Sequence, residues 1–197
     1  GASQEAIKEL GTNGGGFFHF DPVAATFTAY KHTPGTPESL SDDVVLQLAL
    51  DRNGRLWAGP MNGGLNRFDP ERGVFNRIDL FNNIQALRLD NSGRLWVGSV
   101  SEGLAWIDTT TMESFLFQHQ TEDPLNPKDT NIHAIYEDCD GVIWAATAMA
   151  GLARIDPQSN HFIHYVNDAD DPNSLAINNI VSIYQDQAGI YWFGTFG

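Results

Sequence analysis

Cysteine is almost absent. A single residue, Cys139, occurs in 197 positions, so no internal disulfide can form. Basic residues are scarce too. Eleven Lys and Arg face twenty-five Asp and Glu, a formal charge of −14. That balance argues against nucleic-acid backbones and anionic membrane surfaces as partners. No stretch approaches the roughly 18 apolar residues that cross a membrane as a helix. The opening "GASQEAIKEL" lacks the apolar run of a signal peptide, and the chain reads as a mature or trimmed piece of a longer protein. Helical periodicity is missing as well: no window of ten or more residues spaces its apolar positions at 3.6.

Glycine and aromatic residues fill the space these absences leave. There are nineteen Gly, twelve Phe, five Trp and five Tyr. They recur in one order: "DRNGRLWAGPMNGGLNRFD" from Asp51, "DNSGRLWVGSVSEGLAWID" from Asp90 and "DCDGVIWAATAMAGLARID" from Asp138. The order begins again at "DQAGIYWFGTFG" from Asp186. Aligning the Gly or Ala two residues after each Trp gives Gly59, Gly98, Ala146 and Gly194. Gly11 joins this column, because Phe20-Asp21-Pro22 falls over Phe68-Asp69-Pro70. The steps are 48, 39, 48 and 48 residues. The short step is a loop deletion. Tyr30 to Val45, Phe117 to Ile132 and Tyr165 to Ile180 each span 15 residues, whereas Ile78 to Ile84 spans 6. A period of about 40–50 residues indicates a solenoid or a propeller.

Each unit reads as four short strands. In the second, "VLQLAL", "RLWAG", "LNRFD" and "VFNRI" are separated by turn residues, the pattern of a hairpin meander. Asp-x-x-Gly suits a tight hairpin loop. The Asp side chain caps the turn and the Gly takes the left-handed position. The expected fold is therefore all-β, a β-propeller of four-stranded antiparallel blades. Half-blade 11–30, blades 45–78, 84–117 and 132–165, and half-blade 180–197 form the repeat region 11–197, after a non-matching segment 1–10. The chain is then either a fragment of a larger ring or a small ring closed by joining its terminal half-blades. An open blade face favours closure or self-association.

Trp57, Trp96, Trp144 and Trp192 share one phase on the second strand. They are expected to fill the wedge between stacked blades, because identical phase in every unit is what packing demands. "DCDG" at Asp138 resembles the start of an EF-hand loop but lacks the later carboxylates and the distal Glu, so turn chemistry is the better reading. The six His (19, 32, 119, 133, 161, 164) occupy no repeated column, and His161 and His164 face opposite sides of one strand. No nucleophile motif and no phosphate-cradling loop leading into a helix is present. Catalytic residues, a metal and a cofactor are not expected.

The units resemble the two-component regulator propeller repeat. "SLAINNIVSIYQDQAGIYWFGT" matches its motif almost throughout, and the segments beginning "SLSDDVV" and "DTNIHAI" match well. Ala146 stands for the usual Gly, Pro60 and Ser99 for Thr, and Glu102 and Ala150 for the first Gly of a pair. The resemblance covers about residues 11–197. It implies the periplasmic sensor region of a membrane-anchored bacterial receptor, with a histidine kinase or diguanylate cyclase outside this chain. An oligosaccharide or another small ligand is the implied partner. A propeller lyase and a protein-interaction scaffold are the alternatives.

Two groups are candidates for ligand contact. The loops between second and third strands vary on a constant frame, where specificity is usually built; they offer Asn62, Ser101, Glu102 and Met149. Asn83, Asn131 and Asn179 each precede the first apolar residue of an innermost strand. They are expected to ring one mouth of a central channel.

Overall fold

The computed structural model describes residues 9–117 and 129–197 and contains strands without helices among them. Two compact units divide the chain, one through residue 84 and one from residue 85. In the first, β1 (Glu9–Gly11), β2 (Phe17–Asp21) and β3 (Thr26–Tyr30) form a three-stranded sheet. Next come β4 (Val45–Leu50), β5 (Leu56–Pro60), β6 (Leu65–Asp69) and β7 (Val74–Ile78) in a four-stranded sheet. Opening at the boundary, β8 (Ile84–Leu89) continues through β9 (Arg94–Ser99), β10 (Leu104–Asp108) and β11 (Ser114–Phe117). The second unit goes on with β12 (Ile132–Glu137), β13 (Ile143–Thr147), β14 (Leu152–Asp156) and β15 (His161–Tyr165), then a two-stranded sheet of β16 (Ile180–Gln185) and β17 (Tyr191–Thr195). Every sheet is an antiparallel meander in chain order, as the turn spacing requires. The first strand starts at Glu9, two residues ahead of the aligned Gly11; most of segment 1–10 lies outside the described residues.

The Asp-x-x-Gly turns do more than reverse the chain. Gly54, Gly93, Gly141 and Gly189 take φ of 72°, 96°, 78° and 82°, where a Cβ would be strained. One carboxylate oxygen of Asp51, Asp90, Asp138 and Asp186 accepts two backbone amides of its own turn at 2.8–3.0 Å. The other oxygen accepts the indole Nε1–H six residues on. Trp57, Trp96, Trp144 and Trp192 donate at 3.1, 2.8, 2.8 and 2.9 Å. Thus the same side chain that closes the hairpin orients the Trp.

Two of the tethered indoles, Trp96 and Trp144, are centres of sheet-on-sheet packing. Trp96 is fully buried with Leu104 and Phe117 of its own sheet against Ile132, Ile143, Ile155 and Phe162 of the next. Trp144 packs with Leu152 against Ile180, Tyr191 and Phe193. In the first unit Phe17 and Tyr30 meet Leu40, Val45, Phe68 and Phe75, with Phe17 and Phe68 rings 5.4 Å apart. The glycine column follows from the same stacking. A Cβ on Gly98 would lie 2.7 Å from Ile132 Cγ2, so the next sheet approaches the bare backbone there. Trp192 departs from the pattern at 59% exposure, while Trp57 and Trp96 are at 0% and Trp144 at 7%. No sheet covers its side of β16–β17 among the residues of the second unit.

Carboxylate chemistry makes this frame pH-dependent. Burial works to raise the Asp138 carboxyl, but bonds from Trp144, the Tyr191 hydroxyl (2.6 Å) and two turn amides outweigh it and leave the group below the ordinary range. Asp51 is lowered in the same way, burial being outweighed by the Arg55 amide, the Trp57 indole and the Arg55 side chain. Burial and the bond to Asp138 push the Tyr191 phenol up to about 12. A depressed carboxyl stabilises the fold above its unfolded value and loses that contribution as pH falls through the folded one. A raised phenol stabilises below its unfolded value of 10.0 and loses that contribution as pH rises towards about 12.

Two outcomes follow for chemical denaturation. Trp96→Ala should cost on the order of 3–5 kcal/mol as a buried aromatic truncation, and Trp192→Ala less than about 1 kcal/mol because its ring is largely in water. Across alkaline pH, the parent should lose stability between pH 10 and about 12. Tyr191→Phe should flatten that decline, and an unchanged alkaline profile would remove Tyr191 as its origin.

Candidate functional site

The loop tips and the segments entering the innermost strands are stitched together. In the first unit the backbone N–H of Met61 donates to Val44 O at 2.9 Å, and that of Asn83 to Met61 O at 2.6 Å. Asp42 accepts the Asn62 side-chain amide, and Ser41 Oγ donates to Asn62 O at 2.8 Å. The second unit repeats the arrangement. Asp129 caps the Asn131 amide at 3.0 Å and accepts the Met149 amide at 2.7 Å, while Ala148 N donates to Asn131 O at 3.1 Å. Asp42 and Asp129 occupy equivalent places, each three residues before its innermost strand. They buckle a variable loop to a fixed strand entry.

The geometry therefore joins the two candidate groups in pairs: Asn62 lies beside Asn83 in the first unit, and Met149 beside Asn131 in the second. Ser101 and Glu102 form a separate exposed tip. Both of their amides are capped by the buried Ser99 hydroxyl, at 3.2 and 3.3 Å, and Gly103 N donates to Thr130 O at 2.9 Å. Met149 is 79% exposed. Asn83 holds φ of 49°, a left-handed turn residue of the kind Asn tolerates. The side-chain oxygens of Asn131 and Asn179 are buried and accept no hydrogen bond. Asn179 O receives Phe196 N at 3.1 Å, the counterpart of the Asn131 contact.

Two features escaped the sequence reading. The second oxygen of each turn Asp binds Trp, although the constant six-residue interval from Asp to Trp carried that signal. Asp42 and Asp129 were passed over because the equivalent positions hold Phe81 and Ile177, so no repeated column marks them. Two of the histidines contact backbone carbonyls. His32 Nδ1 lies 2.8 Å from Leu40 O and His133 Nδ1 3.1 Å from Ile180 O; His119 lies outside the described residues. No group of three or more His, Cys, Asp or Glu is placed to hold a metal among the described residues. The rims can offer amides, hydroxyls and carboxylates to a hydroxylated neutral ligand. Their acidic character disfavours an anion.

Comparison with known proteins decides between meander folds. Residues 39–62, 80–101 and 174–197 match the two component regulator propeller family. The chain carries repeats of that family. The sheets are propeller blades, and two solved regulator domains share their arrangement. The extracellular domain of a hybrid two component system from B. thetaiotaomicron superposes with a TM-score of 0.66 at 19% identity, over 96% of this chain and 30% of that one. Another such domain from the same bacterium gives 0.76 at 20% identity, over 93% and 24%. Virginiamycin B lyase from Staphylococcus aureus gives 0.65 at 13% identity, over 91% and 56%. These likenesses carry the fold. The chain spans less than a third of the two regulator domains it matches. No curated protein matches it in sequence.

Regulator propeller repeats are non-catalytic, and Asp129 acts here as a support for the Met149 loop. Replacing Asp129 with Ala should free the Met149 loop at a cost of about 1–2 kcal/mol, since two backbone donors lose a charged acceptor. Amide exchange localised to residues 147–151 is the measurement. Unchanged protection there would show that Asp129 does not hold the loop.

Proposed function

We propose that this chain is part of the ligand-sensing propeller of an extracytoplasmic, periplasmic receptor that is anchored in a membrane and relays to a kinase or cyclase outside this segment. The observation that carries the reading is the regulator propeller repeat itself, matched three times. The extracellular origin of the superposing two component domains supports the location. No helix of the described residues is long and apolar enough to cross a membrane, so an anchor would lie elsewhere. The ligand class proposed is an oligosaccharide or similar neutral, hydroxylated molecule. Exposed Asn62, Ser101 and Glu102 present amide, hydroxyl and carboxylate groups on loops whose backbones are already tied down. Such pre-ordering lowers the entropy cost of binding. Self-association is the second partner proposed, supported by Tyr184, Trp192 and Phe196, which stand 60%, 59% and 73% exposed on or beside the last sheet.

Calorimetric titration with a panel of neutral oligosaccharides, with sugar recovered afterwards, tests the sensor reading. Binding without consumption is expected. Glu102→Ala should weaken it while shifting stability by no more than roughly 0.5 kcal/mol, and Asn62→Ala should weaken it at an added stability cost from its lost bond to Asp42. Consumption of the sugar would favour a propeller lyase. Failure of every glycan to bind would leave a protein-interaction scaffold.

A further inference from the structure

A cavity of about 300 Å³ lies between two adjacent sheets of the second unit, β8–β11 and β12–β15. Hairpin turns form its walls. Asn91 and Arg94 come from the β8–β9 turn, Glu137 and Asp140 from the end of β12 and the turn after it, and Pro157 and Gln158 from the β14–β15 turn. Successive hairpins of a meander turn at alternate ends. The cavity is therefore on the face opposite the β9–β10 tip that carries Ser101 and Glu102.

Two bonds cross from sheet to sheet here. Asn91 N donates to both carboxylate oxygens of Glu137, at 2.9 and 3.0 Å. Arg94 Nη1 donates to Pro157 O at 2.6 Å, and its guanidinium lies 4.4 Å from the centre of the Trp106 ring. The guanidinium is thus held on one face and one edge. Its other N–H groups meet no acceptor among the described residues, and no carboxylate pairs with it there. Glu137, 7% exposed, receives that one amide alone, and the Asp140 carboxylate receives no bond among the described residues.

The next interface shows that stacking does not need these charges. At a distance of 48 residues, Gln185 stands for Glu137, Cys139 for Asn91, Val142 for Arg94 and Ala188 for Asp140. The bond between sheets survives, with Cys139 N donating to Gln185 Oε1 at 3.2 Å. A neutral amide is enough to brace the sheets. A partly buried charge without a partner costs free energy. One cation and two anions kept apart around a cavity therefore point to a ligand that carries both signs.

We propose that this cavity binds a short zwitterionic peptide, its C-terminal carboxylate on Arg94 and its N-terminal ammonium between Glu137 and Asp140. A guanidinium takes a carboxylate through two parallel N–H bonds. Length selects a dipeptide. Glu137 ends β12, and Pro157, which anchors Arg94, follows β14 two strands away. At ~4.8 Å per strand these ends are roughly 10 Å apart. Contacts of about 2.8 Å at each end leave on the order of 4–5 Å between the ligand charges. One residue reaches ~3.5 Å and two reach ~7 Å, so a dipeptide covers the gap. A zwitterion has no net charge, so the −14 of the chain does not repel it. The site is independent of the glycan reading, which uses the opposite face.

NMR titration of the full chain with glycylglycine tests this, following the Arg94 Nε–H and Gly141 N–H signals. Both should shift, with a Kd of about 1 mM or below. N-acetyl-glycylglycine lacks the ammonium and glycylglycinamide lacks the carboxylate. Each should bind about tenfold more weakly or worse. Glu137→Gln keeps the Asn91 bond as Gln185 keeps its own, so its melting temperature should hold while binding falls about tenfold. Asp140→Asn alters an exposed side chain and should weaken binding without touching the bond between sheets. No shift at either signal, equal binding of the blocked peptides, or parent-like binding in both variants would overturn the proposal. None of these results bears on glycan binding at the loop face.

Discussion

The hydrogen bond from each of the four repeated Trp indoles to the Asp six residues before it holds the architecture together. A buried Asp is costly unless its charge is satisfied, and here one oxygen is satisfied by the turn amides and the other by Nε1–H. The tie makes turn geometry and blade packing a single event. At Trp96 and Trp144 an indole fixed in this way presents a flat apolar surface on which the next sheet stacks. The neighbouring Gly98 lets Ile132 come within van der Waals range of the backbone.

Function is laid over this frame with little coupling to it. The side chains that vary from blade to blade are at the loop tips; Asp129 holds its loop through the Met149 backbone amide, whereas Asp42 holds its loop through the Asn62 side chain. The Met149 loop, whose main chain is tied to a strand entry, can change its exposed side chain without altering the blade. That division suits a recognition surface better than a catalytic centre, where several residues must converge to within a fraction of an ångström. The scattered contacts of His32 and His133 with backbone carbonyls agree with it.

Packing between sheets also explains where apolar surface remains. Trp57, Trp96 and Trp144 are buried, yet Trp192 keeps its bond to Asp186 while most of its ring faces water. Local chemistry is thus complete in the last sheet although its stacking is not. Phe27, at the other end of the chain, is the same kind of residue left without the walls that Phe75 enjoys.

The strands, their order and their turns were legible in the sequence because each depends on residues within about ten positions. Val45–Leu50, Leu65–Asp69 and Val74–Ile78 begin and end where alternation and Asp-x-x-Gly place them. The second strand is shifted by one residue, to Leu56–Pro60, since Pro60 closes the pairing with Val45. The repeat phase also identified the Trp column and the family. Tertiary structure alone decided which members of that column are buried, because burial belongs to the neighbouring sheet and not to the residue. It alone brought Asn62 to Asn83 and Met149 to Asn131 through connectors some twenty residues apart in the chain, and revealed Asp129 as the buckle of the second pair and Asp42 as the tie from Asn62 to the β4 entry. Those contacts run between segments whose spacing no local pattern encodes.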